Sequence, residues 1–148
     1  MASTYLSLHY HIVFSTKDRI PSISLKWQTS LHDYLGGTVV GLGGVPQRIG
    51  GIQDHVHLLV GLKATHRLAD FMRELKKVGS IWFHDEIRDR KFTWQESYAA
   101  FTVSPTARAA VMRYISNQES HHRKKNFREE LSDLLKKAGV EYDPKYLD

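Results

Sequence analysis

Two histidines that flank a single valine are the first candidates for chemistry in this sequence. His55 and His57 lie in the segment 54–60, where Val56, Leu58 and Val60 occupy the alternate positions. Side chains of a strand alternate between its faces, so the two imidazoles should share one face, ~7 Å apart along the strand. Such a pair can converge on one divalent cation. A pair of this kind can also be structural or merely exposed, and His9 and His11 show the same spacing.

A tyrosine and a glutamine form the second candidate group. Tyr114 and Gln118 are four residues apart on a predicted helix and therefore share a face. The amide oxygen of Gln118 can serve as a neutral metal ligand. Tyr114 could instead border the apolar stripe of its helix with its hydroxyl in water. A phenol, with a pKa of ~10, is a weak nucleophile unless a nearby cation makes the phosphate electrophilic. With His55 and His57 as the other ligands, phosphodiester cleavage through a phosphotyrosine is a coherent hypothesis. Two nitrogens and one amide oxygen suit Mg²⁺ or Mn²⁺ and are compatible with Zn²⁺.

The composition of the 148 residues limits the other possibilities. There is no cysteine, which excludes disulfides, thiolate-bound zinc, iron–sulfur clusters and a cysteine nucleophile. The formal net charge of +5 and a pI near 9.5 favour a polyanionic partner. No apolar run approaches the ~20 residues that span a bilayer, and the N-terminus does not resemble a signal peptide. We therefore expect a cytoplasmic protein without membrane contact.

The predicted elements indicate an antiparallel α+β fold. Alternation over 5–16 predicts a strand, and a first helix over 24–35 should end at Gly36-Gly37. Segments 38–42 and 47–52 look like pieces of one strand that forms a hairpin with 55–62.

In the second half, a long amphipathic helix is expected over about 65–86, and one or two short strands over 92–103. Ser104-Pro105 should open a helix that runs to about His122, and Asn126 should cap a last helix that ends at Gly139 before an extended tail. This order predicts one domain over 1–148 with a C-terminal helix and tail from about 126. Its fold should be a ferredoxin-like split β-α-β sheet with helices on one face and extra C-terminal helices.

Several segments together resemble one known family. They are 9–17 (HYHIVFSTK), 54–60 (DHVHLLV), 94–95 with 98–104, and 114–123 (YISNQESHHR). The combination is similar to the single-tyrosine HUH transposases of small single-stranded insertion sequences and to their repetitive-extragenic-palindrome-associated relatives. The resemblance runs along nearly the whole chain.

The resemblance implies a role for each motif residue. The two histidines of the family motif, here His55 and His57, bind the catalytic divalent metal, and the glutamine, here Gln118, completes the site. The tyrosine, here Tyr114, attacks single-stranded DNA and leaves a 5′-phosphotyrosine and a free 3′-hydroxyl. Family members recognise hairpins at the element ends and are dimers, which implies a homodimer with composite active sites.

Other residues have roles that the sequence leaves open. Asp54 could orient His55 or approach the metal, or could be an exposed turn residue. His9 and His11 could contact the site or DNA, although a solvated sheet face is favoured. His121 and His122 could line the site or contact phosphate, although a basic helix end is favoured. Six basic residues could contact DNA phosphates: Lys17, Arg73, Lys76, Lys77, Arg123 and Lys124. Trp94, Tyr98 and Phe101 could stack on bases, although burial is favoured.

Two alternative functions remain open at this stage. The same sheet could be a non-catalytic module that binds single-stranded DNA or RNA without a need for metal. The protein could also be a metal-dependent hydrolase that acts through bound water and tolerates loss of Tyr114.

Overall fold

A four-stranded sheet is the centre of the computed structural model, which describes residues 3–147. The strands are β1 (His9–Ser15), β2 (Val45–Ile52), β3 (His55–Gly61) and β4 (Ala99–Thr102). Their spatial order is β2-β3-β1-β4, and every neighbouring pair is antiparallel. This is the predicted split β-α-β arrangement, so the α+β prediction is confirmed.

The helices divide between the two faces of this sheet. They are α1 (Gln28–Gly41), α2 (Leu68–Trp82), α3 (Arg108–Ser116), α4 (Gln118–His121) and α5 (Phe127–Ala138). On the first face, Val56, Leu58 and Val60 of β3 belong to one buried core with apolar residues of α1 and α2. The second face carries Leu59, which packs with Ile115 of α3. The extra C-terminal helices therefore cover the face that also carries His55 and His57.

The contact between α3 and β2 is unusually close. A Cβ atom added to Gly50 would lie 2.4 Å from the carbonyl oxygen of Ile115 and 2.9 Å from its Cγ2. Only a residue without a side chain permits this approach. The position of α3 on the sheet therefore depends on Gly50.

The prediction for the first helix was wrong at its C-terminal end. The helix α1 continues through Gly36-Gly37 to Gly41, and the predicted strand piece over 38–42 belongs mostly to its last turn. Leu31, Leu35 and Val39 recur every four residues and are fully buried. Burial of this stripe outweighs the ~1 kcal/mol by which each glycine weakens a helix.

Other element boundaries also differ from the predictions. The helix expected over 65–86 is α2, which continues into a single π-helical turn at Phe83–Ile87. The strands expected over 92–103 reduce to β4 and one bridge between Trp94 and Thr16. The helix expected to reach His122 is broken at Asn117, which separates α3 from α4.

The last helix begins and ends as predicted. The Asn126 side chain accepts a hydrogen bond from the Glu129 amide at 2.8 Å. Gly139 follows Ala138 with a φ of 69°, a left-handed conformation that favours glycine. The tail contains a short turn at Pro144–Tyr146 and a buried Leu147. Within residues 3–147, no helix has the length and apolar character to cross a membrane.

Candidate active site

Strand β3 holds the two predicted histidines on the second face of the sheet. His55 and His57 are both 0% exposed, and their ring centroids lie 5.0 Å apart. The valine between them points into the opposite core, as the alternation of a strand requires. The site is therefore buried between the sheet and the C-terminal helices.

The break between α3 and α4 lies next to the other two predicted residues. Tyr114 is in the last turn of α3 and Gln118 is the first residue of α4, where it is 1% exposed. The Tyr114 ring centroid lies 5.7 Å from that of His57, and Gln118 Oε1 lies 3.1 Å from His55 Nε2. The four residues therefore meet within one chain. Exchange of the tyrosine helix between protomers is not needed to bring them together.

A buried carboxylate that the sequence analysis did not identify lies at the centre of this group. Glu130 of α5 is 1% exposed. Its Oε1 atom lies 3.0 Å from His57 Nε2 and 3.3 Å from His55 Nε2. Its Oε2 atom accepts hydrogen bonds from the Tyr114 hydroxyl and, at 3.0 Å, from Gln118 Nε2. One sequence signal was available, because Glu130 follows Phe127 by three residues and so shares the buried side of the helix.

The favoured interpretation of His122 was wrong, and the alternative that it lines the site describes its position. Its side chain is 5% exposed rather than part of a solvated basic helix end. Its Nε2 lies 3.0 Å from Gln118 Oε1 and 3.1 Å from Glu130 Oε1, while Nδ1 donates to the carbonyl of Lys125 at 2.7 Å. His121 is less buried, and its ring lies 5.4 Å from that of Tyr114. Tertiary docking of α5 encloses His122.

Each strand histidine has a partner behind it. His55 Nδ1 lies 2.7 Å from Asp54 Oδ1, so Asp54 orients this ring. His57 Nδ1 lies 2.8 Å from His11 Nε2. The favoured interpretation of His11 as a solvated residue was wrong, because helices cover this face and leave it 5% exposed. His9 is partly buried and pairs with Arg108 at 3.0 Å.

The charges of the cluster follow from burial and hydrogen bonding. Burial alone would raise the pKa of Glu130, but hydrogen bonds from His122, His55 and His57 hold it far below its usual range. Burial opposes the charged form of His55, yet Asp54 and Glu130 raise its pKa to about 9. Burial lowers the pKa of His57 to about 4. Glu130 is therefore an anion among imidazoles.

The pKa of the Tyr114 phenol is shifted in the opposite direction from what a nucleophile needs. Burial, followed by the hydrogen bond to Glu130 and its negative charge, raises it above its usual range. The phenol is thus held protonated, and its hydroxyl group donates a hydrogen bond to Glu130 Oε2.

Several atoms that can bind a metal lie close to one another in the cluster. The Nδ1 atoms of His55 and His122 each lie at hydrogen-bond distance from an oxygen that can only accept. Nε2 is therefore the nitrogen of each ring that is free to bind a cation once it carries no hydrogen, and both Nε2 atoms lie at hydrogen-bond distance from oxygens of Gln118 and Glu130. His55, His122 and Glu130 offer ligand atoms that all lie within 4.8 Å of one another. This donor set fits a divalent cation.

The predicted DNA-contact residues lie outside this cluster. Five of them are exposed: Lys17, Arg73, Lys77, Arg123 and Lys124. Lys76 is half-buried and donates to the carbonyl oxygens of Gln95 and, at 3.0 Å, Ser97. Lys76 therefore supports the segment before β4.

The three aromatic candidates for base stacking differ in exposure. Trp94 is buried in the core and Phe101 is half-buried with its ring 6.0 Å from that of His11, whereas Tyr98 is 36% exposed. Burial was the favoured interpretation, and it is confirmed for Trp94.

Comparisons with known proteins agree in sequence and fold. Residues 4–118 match the family model described as "Transposase IS200 like". The ISDra2 transposase TnpA of Deinococcus radiodurans is 27% identical over 119 residues, which cover 75% of this chain and 84% of that protein. A candidate transposase from D. radiodurans R1 has a crystal structure that matches with a TM-score of 0.63 and 26% identity, over 80% of this chain and 96% of that one. The structure of a REP-associated tyrosine transposase bound to a REP hairpin matches with a TM-score of 0.61 and 13% identity, over 82% and 73%. This last likeness is one of fold.

Proposed function

Because the chain belongs to the family of IS200-like transposases, we propose that it cleaves and rejoins single-stranded DNA through a 5′-phosphotyrosine on Tyr114. Family membership confirms the resemblance drawn from the motifs and makes the protein a DNA-processing enzyme of transposition. The strand chemistry, the residues that perform it and the DNA partner are our proposal.

One observation carries the proposal. A phenol on a late helix and two imidazoles on a mid-chain strand meet in one buried cluster, with the Tyr114 and His57 ring centroids 5.7 Å apart. A partly buried tyrosine beside histidines is suited to attack a phosphate that enters the cluster, because the reacting groups are already held close together.

In the proposed cleavage the Tyr114 oxygen forms a bond to phosphorus. The bond between phosphorus and the 3′ oxygen of the preceding nucleotide breaks, and that oxygen leaves as a 3′-hydroxyl after it gains a proton. The phenolic proton passes to Glu130 Oε2, the oxygen that accepts its hydrogen bond before the attack. The phosphotyrosine conserves the energy of the diester bond, so attack by an incoming 3′-hydroxyl rejoins the strand without an external energy source.

Family membership implies a divalent metal, and the residues present fit one. His55, His57 and Gln118 would hold it, since their donor atoms converge on the centre of the cluster. A bound cation would make the scissile phosphate more electrophilic and stabilise the charge that develops on it. Asp54 and His11 would fix the two imidazole rings from behind. Mg²⁺ or Mn²⁺ is the proposed ion.

Single-stranded DNA hairpins are the proposed substrate. A relative of the same fold is described as bound to a REP hairpin, and the net charge of +5 favours a polyanion. The exposed basic residues Lys17, Arg73, Lys77, Arg123 and Lys124 are proposed phosphate contacts. A homodimer would present two such sites to the two ends of an element.

A covalent-adduct assay tests the proposal. The protein is incubated with a labelled single-stranded hairpin and Mn²⁺, and bands that survive denaturation are counted. Tyr114→Phe should abolish the adduct and retain hairpin binding, whereas the control Tyr34→Phe on α1 should leave both unchanged. An undiminished adduct in Tyr114→Phe would refute the nucleophile assignment. Binding without any adduct in the wild type would indicate the non-catalytic module, and cleavage without an adduct would indicate a hydrolase.

A further inference from the structure

Two residues that the motif does not include lie in the same cluster as its proposed metal ligands. We propose that Glu130 and His122 are ligands of the divalent cation, and that Glu130 also holds the Tyr114 hydroxyl beside it. The inference rests on the proposed metal-assisted function and extends it to the residues after 118. Glu130 would act with one oxygen on each task, because Oε1 faces the imidazoles while Oε2 accepts from Tyr114.

The hydrogen-bond pattern of the rings is the first argument. His122 Nδ1 donates to the Lys125 carbonyl, so its neutral ring has no hydrogen on Nε2. That Nε2 nevertheless lies 3.0 Å from Gln118 Oε1 and 3.1 Å from Glu130 Oε1, neither of which can donate a hydrogen to it. A lone pair that faces two oxygens is repelled unless a positive centre lies between them. Either a hydrogen on Nε2 or a divalent cation in its place supplies that centre.

His55 repeats this arrangement from the strand. Its Nδ1 is paired with the Asp54 carboxylate, and its Nε2 lies 3.1 Å from Gln118 Oε1 and 3.3 Å from Glu130 Oε1. Two rings from different elements therefore direct Nε2 at the same two oxygens. A second histidine with its outer nitrogen fixed in this way is typical of a metal ligand with a supporting hydrogen bond.

The spacing of the donor atoms is the second argument. Metal–ligand bonds of ~2.1 Å at right angles place neighbouring donor atoms ~3.0 Å apart. The four distances between the Nε2 atoms of His55 and His122 and the oxygens of Gln118 and Glu130 run from 3.0 to 3.3 Å. The carboxylate is 1% exposed, so it is not an incidental surface group.

The enlarged donor set changes the expected metal. Imidazole nitrogens combined with a carboxylate suit Mn²⁺ and Zn²⁺ better than Mg²⁺, which prefers oxygen ligands and retains several waters. We therefore expect Mn²⁺ to bind more tightly than Mg²⁺ in the absence of DNA.

Metal affinity without DNA tests the inference directly. Free Mn²⁺ is measured by electron paramagnetic resonance during titration of the full chain. Glu130→Gln, which retains the size of the side chain, should weaken Mn²⁺ binding at least ~10-fold, and His122→Asn should do the same. Glu129→Gln makes the same charge change at the exposed neighbouring position of α5 and should leave the affinity unchanged. Circular dichroism without metal shows which variants fold, and either test variant alone decides the question.

The opposite results are equally clear. Wild-type Mn²⁺ affinity in either folded test variant would overturn the assignment of that residue as a ligand. Tighter binding in Glu130→Gln would overturn the assignment of Glu130, because it would mean that the carboxylate competes with the cation. The covalent adduct is measured separately. Weakened Mn²⁺ binding without any wild-type adduct would leave this inference standing and overturn the proposed function. A wild-type adduct together with an Mn²⁺ affinity that neither Glu130→Gln nor His122→Asn changes would support the proposed function and overturn this inference.

Discussion

Replacing Gly50 with alanine should separate Tyr114 from the histidines without altering any of these residues. Gly50 lies on β2 against α3, and its neighbour there is Ile115, the residue that follows Tyr114. A Cβ at position 50 would meet the backbone oxygen of Ile115 at 2.4 Å, about 1 Å closer than ordinary van der Waals contact. Backbone cannot rotate away as a side chain can, so α3 must shift.

The size of the effect follows from that overlap. A displacement of ~1 Å of a reacting group can lower the rate of reaction ~100-fold. Overpacking at a tight contact costs about 1 to 3 kcal/mol of unfolding free energy. We therefore expect Gly50→Ala to remain folded, with a lower melting temperature and adduct formation slowed by about two orders of magnitude.

The assay compares Gly50→Ala with Gly37→Ala in single-turnover adduct formation and thermal unfolding. Gly37 lies in α1, and a Cβ there would have no neighbour within 4 Å. The control should keep its adduct rate and gain about 0.5 to 1 kcal/mol of stability, because alanine is the better helix former. A wild-type adduct rate in Gly50→Ala would refute the claim that the approach of α3 to β2 positions the nucleophile.

Three further predictions concern the surroundings of the site. Asp54→Asn should weaken Mn²⁺ binding ~10- to 100-fold in titrations, because the carboxylate that orients His55 is lost; an unchanged affinity would contradict this role. Burial lowers the pKa of His32 from 6.5 to about 4. The unfolded chain therefore binds a proton at this residue below pH 6.5 that the folded chain does not, so the free energy of unfolding decreases as the pH falls from 6.5 towards 4. Urea unfolding measures how far the free energy of unfolding decreases from pH 7 to pH 4.5. This decrease should be smaller by up to ~3 kcal/mol in His32→Gln than in the wild type, and equal decreases would exclude the effect. Mixed Tyr114→Phe and His57→Ala chains should form no adduct, because each chain lacks part of its own site; restored adduct would demonstrate a site shared between protomers.

Local periodicity was sufficient for the parts of the site that lie within one element. Strand alternation predicted that His55 and His57 share a face, and helical spacing predicted that Tyr114 and Gln118 are neighbours. Both pairs are found on the same side of the sheet, although Asn117 interrupts the predicted helix between the second pair. These are relations over two and four residues, which the backbone geometry of a single element determines.

Local periodicity does not predict which side chains become buried when elements far apart in the sequence pack together. His11 was interpreted as solvated because alternation of β1 shows which residues share a face but not what covers that face. Burial of His122 and Glu130 depends on the docking of α5 against β3, and the lysines and arginines next to His122 favoured a solvated interpretation. In the first helix, the glycine pair predicts a helix end, whereas burial of Leu31, Leu35 and Val39 extends the helix past it.

The part of the site beyond the family match gives the cluster its buried negative charge. The matched segment ends at Gln118, while His122 and Glu130 follow it. A carboxylate taken into a buried site costs several kcal/mol unless positive charge compensates it, so the docking of α5 is favourable only when protonated imidazoles or a cation surround Glu130. The same carboxylate accepts the Tyr114 hydroxyl. If the proposed metal site is right, cation binding, docking of α5 and orientation of the Tyr114 hydroxyl are linked through this one carboxylate, and a change that weakens one of them should weaken the other two.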